Sequence, residues 1–192
     1  MNGNSNYALA ALAAAALALV LTAAMASVFA YYPVSLSIQG AAPPIELEAG
    51  GNAGQADLSG TIDVTVGANK TSLTVTLHPT YQTTYYKDIA RIRNTDTANT
   101  YYVWIRVVTP TTPALPSGST AQLIVKTSAG GTAATVDLTT SGTTGPITLS
   151  AGDYLQLDFK FSIPEGVQLS SFQGVTASIE VIYSTQSAEA PP

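Results

Sequence analysis

The residues able to do chemistry are few and far apart. His78 is the single histidine, and there is no cysteine, which excludes thiol catalysis, thiolate metal sites and a disulfide scaffold. A Ser-His-Asp triad would have to use His78, which ends a predicted strand at His78-Pro79, and no serine sits in a G-x-S-x-G elbow. Glu46 and Glu48 share one face of a short predicted strand. Carboxylate pairs cleave glycosides only with one raised pKa and a cleft; beside the glycine-rich stretch Ala49–Gln55 this pair reads as a solvated edge. Asp57, Asp63, Asp137, Asp153 and Asp158 offer oxygens to calcium, but no D-x-[DN]-x-[DN]-G loop gathers them. The expectation is a protein that is not an enzyme and has no cofactor and no bound metal. Asn69-Lys70-Thr71 is the one N-glycosylation sequon, at a predicted hairpin tip. The threonine-rich stretches 109–112 and 139–144 suit O-glycans.

Composition narrows the partners. Charged residues make up 10% of the chain, the net charge is −5, and the seven Lys and Arg are scattered, so no nucleic-acid partner is expected. Residues 7–30 carry no charge and are mostly Ala, Leu and Val. They contain an apolar h-region at 8–21 and two candidate signal cuts, after Ala24-Met25-Ala26 and after Val28-Phe29-Ala30. Met1–Asn6 lacks the usual Lys or Arg, and a run of about 20 apolar residues is also long enough to span a bilayer as a retained helix. Either way the chain is exported, and a membrane is met only during export or through that helix.

These features need a scaffold, and the pattern beyond residue 30 is all β. In Tyr31–Gln39, Val34, Leu36 and Ile38 alternate with Ser35, Ser37 and Gln39, which is period two. The joint Gly40–Pro44 follows at once, with no hairpin partner across a tight turn. Further strands are expected at Ile45–Glu48, Thr61–Val66 and Ser72–Leu77 (a hairpin turned by Gly67–Lys70), Tyr85–Arg93, Tyr101–Val108, Ala121–Thr127, Thr135–Thr139, Ile147–Leu149, Tyr154–Ile163 and Thr176–Ser184. Pro110, Pro113 and Pro116 mark a connection unfit for a central strand. Some ten short strands with no helical period predict an antiparallel, jelly-roll-like β-sandwich. The organisation read from this is a signal or apolar helix (1–30), an N-terminal strand and joint (31–44), a sandwich domain (45–186) and a C-terminal tail (187–192).

Tyr85-Tyr86-Lys87-Asp88-Ile89-Ala90-Arg91-Ile92-Arg93-Asn94-Thr95, then Tyr101-Tyr102-Val103-Trp104-Ile105, and later Leu149-Ser150-Ala151-Gly152-Asp153 before a long alternating strand, resemble the camelysin/TasA-like family of biofilm matrix fibre proteins. The likeness is strongest to its archaeal relatives that form bundling pili. The resemblance implies a jelly-roll subunit that polymerises by giving its N-terminal strand to a neighbour. The metalloprotease activity attached to the camelysin name does not carry over, because the chain has no H-E-x-x-H. Here the donor residues would be Val34, Leu36 and Ile38. The acceptor groove is expected in the two most apolar strands, at Val103, Ile105 and Val107 and at Leu155, Leu157 and Phe159. The partner is the chain itself, a homopolymer with lateral bundling.

Burying three apolar side chains contributes about 1.5–3 kcal/mol each, and ordering some seven residues costs about 1–2 kcal/mol apiece. Contact between whole domains must therefore add to a donated strand. The paired tyrosines Tyr85-Tyr86 and Tyr101-Tyr102 are candidates, one ring inward and one outward. Two other readings compete with strand donation: a type IV-like pilin whose helix is kept in the filament core, and a monomeric surface module binding glycans or calcium. N-terminal sequencing of the mature protein separates the two filament routes. Strand donation expects a start at Ser27 or Tyr31; a start within Met1–Ala8 would instead mean a retained helix.

Overall fold

The computed structural model describes residues 3–23 and 30–192; Ala24-Met25-Ala26 of the first candidate cut, and Val28 and Phe29 of the second, lie outside the described residues. The chain divides into two units, Met1–Gly40 and Ala41–Pro192. In the first, α1 spans Gly3–Ala23, where Ala and Leu supply high helix propensity. Among the described residues no helix is long and apolar enough to cross a membrane. The strand expected at Tyr31–Gln39 is not formed: residues 30–43 carry no helix or strand. Val34, Leu36 and Ile38 stand 89%, 80% and 84% exposed. A period-two sequence becomes a strand only when a ladder satisfies its backbone groups, and this segment has no ladder partner among the described residues.

The second unit is built from strands β1 (Ile45–Ala49), β2 (Asp63–Val66), β3 (Leu73–Thr76), β4 (Gln82–Asn94), β5 (Tyr101–Thr112), β6 (Thr120–Thr127), β7 (Thr132–Asp137), β8 (Gly142–Thr143), β9 (Ile147–Leu149), β10 (Tyr154–Ile163) and β11 (Thr176–Ser184). One sheet has the order β1-β4-β10-β6-β7, a second β11-β5-β8 with β9 also on β5, and β2-β3 is a separate hairpin. All these pairings are antiparallel. Inward residues of both large sheets close one core, with Ile92, Leu123, Val125 and Leu155 against Val103, Ile105 and Leu149. The hairpin covers another part of the five-stranded sheet through Ile62, Val64 and Val75 on Tyr86 and Ile89.

One departure from the sequence pattern and two connections bear on the site. β5 runs through Pro110, because the β5–β11 register breaks between Thr109 and Thr112, and a bulge spares Pro the ladder bond it cannot donate. The glycine-rich stretch Ala49–Gln55 is an ordered turn: the N–H groups of Gly50 and Asn52 donate to the carbonyls of Ile89 and Asp88, and that of Gly54 to Ile62. A side chain at Gly50 would collide with the Asp88 carbonyl. Residues 164–175 between β10 and β11 hold only a 3₁₀ turn, Leu169–Phe172.

The segments 94–101 and 149–154 form one clasp. Asn94 is fully buried; its amide nitrogen donates to the carbonyls of Asn99, Leu149 and Ser150, and its side-chain oxygen accepts from the Asp96 N–H. Gly152, at φ 70°, donates its N–H to the Asp96 carbonyl, and the Asn94 N–H donates to Asp153. Thr95 gives both its N–H and its hydroxyl to the carbonyl of Pro44, so the clasp also fixes where the N-terminal joint meets the domain. Asn94→Ala leaves the carbonyls of Asn99, Ser150 and the buried Leu149 short of a donor. A loss of about 3 kcal/mol is expected, read as a lowered urea midpoint at unchanged slope.

A candidate assembly site at one pole of the sandwich

β4 carries 13 residues, about 40 Å of extended chain, and so measures the sandwich from end to end. One pole gathers Asn94, Tyr101, Leu149 and Tyr154, with Pro44 held there by Thr95. The other gathers Gln82, Thr112, Thr120, Ile163 and Thr176. From the middle of the fold toward that second pole runs an apolar cleft of about 490 Å³. Its walls are β3, with Leu73 and Val75, continued by Leu77 just past its end, and the first half of β11, Thr176–Ile179; its floor is Leu157, Phe159 and Phe161 of β10. Phe159 and Phe161 are only partly buried, and each packs against both apolar clusters. β3 pairs only with β2, and β11 only with β5, so two strand edges without partners among the described residues flank the cleft. No charged residue lines it.

Of the six residues expected to form an acceptor groove, Leu157 and Phe159 line this cleft. Val103, Ile105, Val107 and Leu155 do not: they are sealed in the closed core, each at most 2% exposed. β5 and β10 are the most apolar strands because they lie at the centre of the two sheets, and a central strand is covered by its own domain. What sequence reasoning missed is the other wall, where Leu73, Val75 and Leu77 keep the same i, i+2, i+4 spacing as Val34, Leu36 and Ile38. The period of β3 was visible; its half-burial was not. Tyr86 is buried and Tyr85 points out, as the paired-ring expectation has it, whereas Tyr101 and Tyr102 are both half-buried.

The chemistry-bearing side chains are engaged in contacts within the domain. Glu46 pairs with Lys70 and Glu48 with Arg93. Asp63 accepts from Thr61, Asp137 from Thr139 and Asp153 from the N–H of Tyr154, and among the described residues no group of three carboxylates or imidazoles could hold a metal. Asn69 is exposed in the β2–β3 turn. His78 lies 3.0 Å from Asp57 through Nδ1 and donates its backbone N–H to the same carboxylate, which also accepts from Tyr86 and Leu58. Burial raises the Asp57 carboxyl, but these donors outweigh it and leave it below its usual range. Burial, then the Asp57 charge, pushes the Tyr86 phenol up. These bonds tie the turn 50–62 to the end of β3.

Asp158, one of the five carboxylates weighed for calcium, is fully buried. Opposite it β4 bulges, since Leu157 pairs with Ala90 but Phe159 with Tyr86, and Asp88 sits there at φ 50°. Asp158 fills the gap: Oδ1 accepts from the Asp88 N–H at 2.6 Å and from Gln156, and Oδ2 accepts from Tyr85 and lies 3.1 Å from Lys126 Nζ. Burial raises its carboxyl, and the four donors, led by the Asp88 N–H, bring it below the usual range. Comparison with known proteins adds no family: no family model and no curated protein matches the chain.

The stability Asp158 contributes is present above the unfolded carboxylate pKa, about 3.9, and is lost as pH falls through its lower folded value. Asp158→Asn sets an amide donor among four donors and is expected to lower stability by about 3 kcal/mol at pH 7. The variant's stability should also fall less steeply than the parent's between pH 5 and pH 2, measured by denaturant unfolding at each pH.

Proposed function

We propose that the chain is a non-enzymatic structural subunit of an extracellular filament, exported through its apolar N-terminus. It is a jelly-roll-like domain that polymerises head to tail by donating Val34–Ile38 to the next copy. One observation carries this reading. The chain enters the domain at Pro44, on one pole, while the uncharged cleft between two free strand edges opens toward the other pole. The segment before Pro44 supplies what the cleft lacks: a charge-free stretch with three exposed apolar side chains at the spacing of the cleft wall. A heterologous contact of that kind repeats into a fibre instead of closing, and strand addition to a free edge is a recurring mode of recognition. Outward rings such as Tyr85 and Tyr183 are available for contact between neighbouring subunits and for lateral bundling, and Asn69 at the β2–β3 turn is available for a glycan.

Deleting residues 31–39 should leave a folded, monomeric domain. Leu36→Asp should block assembly as well, since an unpaired charge in an apolar slot costs several kcal/mol. Negative-stain imaging with size-exclusion chromatography checks both. Filaments of unchanged diameter from the deleted chain would sink the strand-donation mechanism; a parent protein that elutes as a monomer under all conditions would favour a surface binding module.

A further inference from the structure

Granted the filament reading, we infer the direction of the donated strand: it enters antiparallel to β11, pairs with the free edge of β11, and lies parallel to β3. Two features of the fold fix this. β11 begins beside Thr112 at the second pole and ends beside Tyr102 at the first, whereas β3 runs the other way, from the turn at Lys70, whose carbonyl accepts from Leu47, toward Tyr86 and Phe161. The two walls of the slot are therefore antiparallel to each other, and any strand between them is antiparallel to only one.

Reach and symmetry choose which. The joint Gly40–Pro44 has five residues and spans at most about 18 Å, less than half of the roughly 40 Å between poles. The C-terminal end of the donated strand must therefore stay near the first pole of its own domain. In a fibre that repeats one operation, every subunit points the same way, and the first pole of one copy abuts the second pole of the next. The donated strand then has Gln39 at the second pole of the acceptor and Val34 deeper in, so it runs against β11. The opposite direction would bring two first poles together. Each copy could then fill the other's cleft, and the result is a closed two-fold dimer with no free end to extend. The antiparallel edge is also the slightly stronger ladder, and with β3 on the far side neither wall keeps an open edge.

The occupant is a second copy because segment and slot match. Residues 30–44 and the cleft lining are both free of charge in a chain of net charge −5, and the apolar triplet Val34, Leu36, Ile38 repeats the spacing of Leu73, Val75 and Leu77.

The absence of cysteine makes the test clean. Full-length chains carrying Ser35→Cys, Ser37→Cys or Gln39→Cys are each mixed with chains carrying Ser178→Cys, Glu180→Cys or Ile182→Cys, assembled, oxidised, and run on non-reducing gels. These positions alternate with the inward residues of their segments, so a disulfide need not disturb the apolar contact. The expected result is an inverse order: as the donor position moves from 35 to 39, the best partner on β11 moves from 182 toward 178. The same order in both would overturn the direction while leaving strand donation intact. Filaments that form no disulfide dimer in any of the nine mixtures would overturn the pairing with β11. Assembly by the chain lacking 31–39 would overturn the underlying reading itself.

Discussion

An apolar face must be covered, and here the covering layer does not reach all the way across. The inner face of the five-stranded sheet is closed on one side by β5, β9 and β11 and on the other by the β2–β3 hairpin, which leaves Phe159 and Phe161 half-buried where the two covers fail to meet. Each aromatic side chain buries 150–250 Å² when fully enclosed, as a general magnitude of about that size, so two of them left half-open favour any strand that can fill the space. The remaining features of the molecule answer this gap: two unpaired edges bound it, no charge interrupts it, and an unpaired strand-like segment is attached at the far end of the domain.

The edges of the gap are held by polar contacts rather than by core packing alone. At the end of β3, Asp57 gathers the backbone and ring of His78 together with Tyr86. This ties the segment carrying Leu77 and Pro79, part of the cleft wall, to the turn beneath it. On the floor strand, Asp158 satisfies the N–H that the β4 bulge turns out of its ladder. A buried carboxylate with four donors is strongly directional, so it fixes the one register in which Phe159 lies opposite Tyr86. Arg91 grips Asp88 through two nitrogens on the other flank of the bulge, which holds the positive-φ residue in position. At the opposite pole the Asn94 clasp does the corresponding work, joining the turn after β4 to the turn before β10.

Much of the fold was legible because a half-buried strand prints period two in the chain: the β2–β3 hairpin, β4, β5, β6, β9, β10 and β11 fall within a few residues of the sequence reading. The failures share a physical origin. Alternation reports that a strand has one apolar side, not whether that side already has a cover. Val103 and Ile105 looked like a groove floor and are the middle of the core, while Leu73 and Val75 looked like an ordinary hairpin and form the wall of the cleft. The same limit applies to residues 31–39, whose pattern is that of a strand although a single copy gives it no ladder. Nothing in the sequence marked Asp158 as buried; the neighbouring bulge, which only the three-dimensional pairing reveals, buries it. Pro110 was read as a strand breaker, correctly for a regular ladder and wrongly for a bulged one.

Charge adds the last constraint. The proposed homopolymer of a chain with net charge −5 would crowd like charges along its axis, and that repulsion would oppose assembly unless the surfaces that meet are neutral. Seven cations against twelve carboxylates cannot neutralise the chain, but their distribution limits the damage. Lys70, Arg91, Arg93 and Lys126 are each consumed by an anion of the same domain, at Glu46, Asp88, Glu48 and Asp158, and these pairs gather on β1, β4, β6, β10 and the hairpin turn. Residues 30–44 and the lining of the cleft carry no ionisable side chain other than the phenols of Tyr31 and Tyr32. Under the proposed strand donation, joining the two would remove no charge from water and bring none into the cleft, so the cost of desolvating an ion would not enter that contact. On that reading the acidic surplus stays outside the cleft, where water and salt screen it.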